Sequence, residues 1–148
     1  MNVYKPSSYK TIWLNTENAT ASTDRKIFTF NNMPLIQIRG KSILKINSIN
    51  LSGPGLANAK DQNWILKLKN IKHTQNSYYN SDRDPDLTIS NFNYNPSSVQ
   101  NGLLSIELVE QDINNFSLSI SSSENHGAVQ SGSNVNFHVG ICIHEFYE

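Results

Sequence analysis

Cysteine is almost missing from this sequence. Cys142 stands alone, so no disulfide can close within one chain, and a lone thiol suits a reducing compartment better than a secretory one. Glycine is scarce too, seven residues in 148, and none lies in a phosphate-cradling P-loop or G-x-G-x-x-G run. Charge of one sign is also lacking: 12 Lys and Arg balance 12 Asp and Glu, with the signs interleaved. A nucleic-acid binder normally carries a basic excess to neutralise phosphates, so no direct contact with nucleic acid is expected. Long apolar runs are absent, the longest being strand-length and far short of the ~20 residues that span a bilayer. The opening Met1-Asn2-Val3-Tyr4-Lys5-Pro6 lacks the apolar core of a signal peptide. The expectation is synthesis and folding in the cytosol, with no transmembrane segment.

What is present is enough for one packed domain over residues 1–148. A chain of 16.7 kDa buries roughly 70% of its unfolded surface, and aliphatic residues with six Phe, six Tyr and two Trp supply the core. Asn (21) and Ser (19) are in large excess, which suits turns and the solvent faces of strands and equally follows from an AT-rich genome. Apolar and polar residues alternate with period two, and no segment keeps a helical period. The clearest run is the last: Val135, Phe137, Val139, Ile141 and Ile143 face one way, and Asn136, His138, Gly140, Cys142 and His144 the other. Further runs fall at residues 116–121, 104–108 and 64–69, with others at 11–15, 26–30, 35–39, 42–51 and 87–93. In the run over 42–51, Leu44 and Ile46 share one face while Ile49 and Leu51 take the other, which calls for a bulge.

Turn-rich spacers separate these runs: Asn31-Asn32-Met33-Pro34, Ser52-Gly53-Pro54-Gly55, Asn95-Pro96-Ser97-Ser98, residues 121–133 and the longest, 72–86. The fold class is therefore all-β, an antiparallel β-sandwich. An immunoglobulin-type domain runs to about 100 residues and seven strands. About eight strands joined by longer connections fit a single jelly roll better. Residues 1–10, with Tyr4, Pro6 and Tyr9, read as an extended N-terminal arm.

No constellation states a chemistry. His138 and His144 lie on one face of the last run, about 20 Å apart at ~3.3 Å per residue, too far to share a metal; His73 and His126 have no partnering Cys or H-x-H spacing. Asp82, Asp84 and Asp86 form D-x-D-x-D, but an EF-hand would then need Gly at Leu87 and Glu at Asn93. No serine sits in a G-x-S-x-G elbow, and Cys142 falls in mid-strand. Glu107, Glu110 and Asp112 gather near a strand end, as carboxylates at many sheet edges do. No catalytic residue, metal or cofactor is expected, and the chain reads as a non-enzyme. The 72–86 loop, with Tyr78, Tyr79, Asp82, Asp84 and Asp86, is the candidate contact surface. It reads either as an interface, where Tyr is enriched, or as a glycan-binding loop of aromatic rings beside polar side chains. The pair Phe92 and Tyr94 invites the same two readings.

Phe28-Thr29-Phe30, Pro34-Leu35-Ile36-Gln37-Ile38, residues 44–51 and the closing block 135–145 together resemble the small single jelly-roll capsid proteins of large icosahedral double-stranded DNA viruses, the penton and minor capsid proteins of giant and algal viruses and virophages. The resemblance is one of texture over most of the chain. It implies a virion structural protein without catalysis, a penton (vertex) or minor capsid component. It implies a homo-oligomer, a pentamer at the vertex, that contacts the major capsid protein and other minor capsid proteins after assembly in the host cytoplasm. From the residues alone, a carbohydrate- or receptor-binding sandwich, lectin-like or a fibre head, is the alternative.

Overall fold

Period-two alternation becomes strand wherever one face finds a core. The computed structural model describes residues 7–23, 26–31, 33–54, 56, 63–79, 81–93, 105–122 and 135–146. Its strands are β1 (Ser7–Asn15), β2 (Thr20–Ala21), β3 (Ile27–Phe30), β4 (Ile36–Ile38), β5 (Lys41–Ser52), β6 (Asn63–Lys69), β7 (Ser77–Tyr79), β8 (Asp82–Asp84), β9 (Leu87–Asn93), β10 (Ser105–Leu108), β11 (Gln111–Ile113), β12 (Phe116–Ser122) and β13 (Asn136–Phe146). Each of the expected runs is a strand. Unforeseen were β2, β7, β8 and β11, all three residues or shorter, too brief to display a period.

The molecule is an antiparallel β-sandwich. One sheet has the order β1-β13-β5-β10, the other β2-β3-β12-β6-β9, with the short ladders β4–β11 and β7–β8 beside them. The pairing is nested along the chain: β1 with β13, β3 with β12, β4 with β11, β5 with β10, β6 with β9, and β7 with β8 at the centre. Lateral pairing of β13 with β5 and of β12 with β6 joins these ladders into sheets. Inward residues of both sheets form one cluster, including Phe28, Leu66, Leu68, Phe116, Leu118, Phe137, Val139 and Ile141. Trp64 of one sheet meets Phe137 of the other edge-on, with ring centroids 5.3 Å apart, a favoured aromatic geometry.

The face switch in β5 has the expected cause. Ile46 pairs with Ile141 and Ser48 with Gly140, so Asn47 is the extra residue of a bulge. Leu44 and Ile46 before it and Ile49 after it are all buried. A second bulge, at Ile89, lets Leu66 pair with Ser90 and Lys67 with Thr88.

Two expectations are revised. Residues 7–10 of the expected arm are the first part of β1, held along β13; residues 1–6, with Tyr4 and Pro6, lie outside the described residues. The expected 72–86 loop folds back as the β7–β8 hairpin, because Ser81 adopts a positive φ of 74° that turns the chain. Leu104, Tyr94, His126 and the spacers 95–98 and 123–133 also lie outside the described residues.

Candidate functional site

The five residues singled out in the sequence lie on one hairpin and the residues just after it, and two of the aspartates are engaged in holding it to the sheet. Tyr78 and Tyr79 belong to β7 and pair across the hairpin with Arg83 and Asp82. The Tyr78 side chain is 71% exposed. Asp84 and Asp86 turn away from solvent toward β6, where Lys67 Nζ donates to Asp84 Oδ2 and Lys69 Nζ to Asp86 Oδ2 at 3.0 Å. The spacing explains this: Lys67 and Lys69 share the outer face of β6, and Asp84 and Asp86 match it two residues for two. The Asp86 backbone N–H also donates to Asp84 Oδ1 at 3.0 Å. The hydrogen bond from Lys67 holds the Asp84 carboxyl below its ordinary pKa against the opposing effect of burial. Asp82 stays exposed at the tip. The D-x-D-x-D segment is thus a latch that fastens a hairpin to the sheet, with a shallow cavity of about 380 Å³ between Lys67, Asp82, Arg83, Ser119 and Ser121.

Several other polar side chains are also engaged in the fold. His73 Nδ1 accepts from the Gln75 N–H at 3.1 Å, which leaves Nε2 to carry the proton and donate to the Pro85 carbonyl at 2.9 Å. His138 Nε2 lies 2.9 Å from Ser52 Oγ. His144 is stacked on Tyr9, with centroids 3.9 Å apart at 18°, and lies against Phe146 at 4.0 Å. Cys142 is half-buried in mid-strand between Thr11 and Lys45. Asp112 pairs with Arg39 at 2.7 Å on the surface. Among the described residues no three His, Cys, Asp or Glu side chains gather as a metal would need, and no helix is long and apolar enough to cross a membrane.

No family model, curated protein or solved structure matches this chain. What it can do must be read from its own surfaces.

Sequence reasoning missed one of these. A groove of about 620 Å³ runs beside β1, lined by the five consecutive residues Lys10, Thr11, Ile12, Trp13 and Leu14 and, opposite, by Met33, Pro34, Leu35 and Ile36. Five consecutive residues of one strand cannot all point one way, so this groove follows the strand's edge rather than a face. Trp13 stands over Gly140, 70% exposed; a Cβ on Gly140 would lie 2.5 Å from the indole Cζ3 and 2.9 Å from Ser48 Oγ, so glycine makes the seat for the ring. Tyr9, 67% exposed, projects from the same face of β1. Only the combination of Tyr9 and Trp13 on the outward positions of an otherwise alternating run signalled this in the sequence.

On the other face of β1, Lys10 reaches inward. Its Nζ donates to the Gln37 carbonyl at 2.8 Å and stands 3.8 Å from Glu145 Oε2. Glu145 is 2% exposed, and among the described residues its Oε2 has no hydrogen-bond partner.

Proposed function

We propose that this chain is a structural protein of an icosahedral double-stranded DNA virus, a penton (vertex) or minor capsid component that works by assembly and not by catalysis. The observation that carries this reading is the nested strand pairing. One long antiparallel hairpin, from β1 and β13 at its open end to β7 and β8 at its tip, rolls into facing sheets ordered β1-β13-β5-β10 and β3-β12-β6-β9. We read that order as a single jelly roll, an architecture used by viral capsid domains and also by lectin domains and cupins. Two further features support an assembling role. Among the described residues, His73, His138, Asp84, Asp86 and Asp112 are engaged in contacts within the fold. The large exposed apolar side chains, among them Tyr9, Trp13, Leu35 and Tyr78, are of the types enriched at interfaces in the case of Tyr and Trp. On this reading the chain is a homo-oligomer, a pentamer at the vertex, in contact with the major capsid protein and other minor capsid proteins, and it is assembled in the host cytoplasm.

Mass spectrometry of purified virions tests the proposal, with particle averaging of the isolated protein. The expected result is this chain in the particle and, for the penton position, a ring of five. Its absence from particles overturns the reading. The carbohydrate- or receptor-binding alternative is favoured by one observation, the exposed Tyr78 ring at the edge of the latched hairpin. It predicts that Tyr78→Ala abolishes glycan binding and leaves assembly intact.

A further inference from the structure

Sheet edges are templates for uncontrolled pairing, and proteins blunt them with short strands, bulges, prolines or charges. Among the described residues, three of the four edges of the two large sheets follow the rule. β2 is two residues long and β10 four, and β9 carries the bulge at Ile89. The fourth, β1, does not. It runs for nine residues in unbroken register with β13, contains no proline, and among the described residues pairs with no strand on its other side. Its one charge, Lys10, points inward to Gln37 and Glu145. Beside this open edge lies the 620 Å³ groove with its apolar wall of Met33, Pro34, Leu35 and Ile36.

We infer that this edge is a docking surface for a second copy of the chain, the two β1 strands pairing antiparallel across a two-fold axis at Thr11 to make one continuous sheet of eight strands. The register follows from the residues. With Thr11 opposite Thr11, all nine residues are paired, from Ser7 against Asn15 onward. Tyr9 of each copy then faces Trp13 of the other on the outer side, giving two aromatic cross-strand pairs, a stabilising combination. On the inner side Lys10 faces Ile12, so the single charge of the strand meets no like charge. A shift of the axis to Lys10 sets two ammonium groups opposite one another and shortens the ladder. A shift to Ile12 shortens the ladder and separates Tyr9 from Trp13.

The size is adequate. A nine-residue edge is about 30 Å long, and Tyr9 and Trp13, both largely exposed in the single chain, are of a kind that buries roughly 150–250 Å² each. With the groove wall this approaches the ~800 Å² per partner of a standard interface. The surface is self-complementary, as a two-fold interface has to be. The inference goes beyond the virion reading and does not depend on it: a dimer formed by protein found in no particle keeps the one and sinks the other.

Thr11 is exposed and meets its own symmetry mate at the axis, which gives a decisive test. Wild type, Thr11→Lys and Thr11→Glu are compared by light scattering coupled to gel filtration over a concentration series, with circular dichroism to verify the fold. The expected result is a wild-type dimer, a dissociation constant raised about five-fold or more in each variant by like charges placed directly opposite, and recovery of the dimer when the two variants are mixed in equal amounts. A wild type that stays monomeric at ~100 μM, variants that dimerise as well as wild type, or weakened variants that mixing does not rescue would each overturn it. If both variants misfold, Tyr9→Ser with Trp13→Ser replaces them: a wild-type dimer that survives loss of both rings is equally fatal to the inference.

Discussion

Gln111 and Gln75 each use one side-chain amide as if it were a rung of β-ladder. Gln111, 7% exposed, accepts from the Lys72 N–H at 2.9 Å and donates to the Lys72 carbonyl at 2.7 Å. Gln75 treats Thr88 in the same way, at 2.8 and 3.2 Å. Each side chain satisfies both backbone groups of one residue, Lys72 just past the end of β6 and Thr88 within β9. Truncating Gln111 to Ala leaves those groups without that partner in a partly buried place, and an unmet buried donor or acceptor costs about 1–3 kcal/mol. The expected loss is at the low end, about 1 kcal/mol, read as a lower urea midpoint at unchanged slope. The Lys10–Glu145 pair is the second lever at this scale. Removing the cation with Lys10→Met leaves the nearly buried Glu145 side chain without its counter-charge, and because the Lys10 side chain is itself 35% exposed the expected cost is about 1 kcal/mol. Adding Glu145→Leu to the same chain should recover most of that loss, a coupling that a double-mutant cycle in denaturant measures directly. None of these roles was legible in the sequence. Gln111 and Glu145 look like ordinary polar positions until the β10–β11 turn and the inward side of β13 bring them to their partners.

Among the elements, the β7–β8 hairpin depends on charge. Its carboxylates at Asp84 and Asp86 match the Lys67 and Lys69 spacing of β6. Because Asp84 titrates below its ordinary value, its contribution is fully present above the unfolded carboxylate pKa of about 3.9. It is lost as the pH falls through the depressed folded value. Hydrogen exchange should therefore find the β7–β8 amides protected at neutral pH and released in acid before the β5–β13 core opens. Asp84→Asn should show the weaker protection already at pH 7. The sequence displayed the three aspartates and the long spacer but not their purpose, since ion pairs between residues 67 and 84 need the intervening chain to fold back. By contrast, the bulge in β5 was legible, because the apolar positions themselves change face between Ile46 and Ile49.

For the whole molecule, one core joins the two sheets, so a cavity at its centre should weaken the entire fold cooperatively. Phe137 is fully buried and touches Trp64 across the layers. Phe137→Ala should cost about 3–5 kcal/mol and lower the midpoints of both sheets together, as tryptophan fluorescence and far-UV circular dichroism can compare. The sequence by itself determined the class of this protein and most of its long strands. Alternation with period two is written residue by residue, and burial of one face is enough to turn it into strand. Only the tertiary structure decided which strands are neighbours, which side chains close the gaps between them, and that among the described residues β1 has no strand on its outer side, beside an apolar groove. Those outcomes depend on pairings between residues far apart in the chain, such as Ser7 with Phe146, and no local pattern encodes a partner 139 positions away.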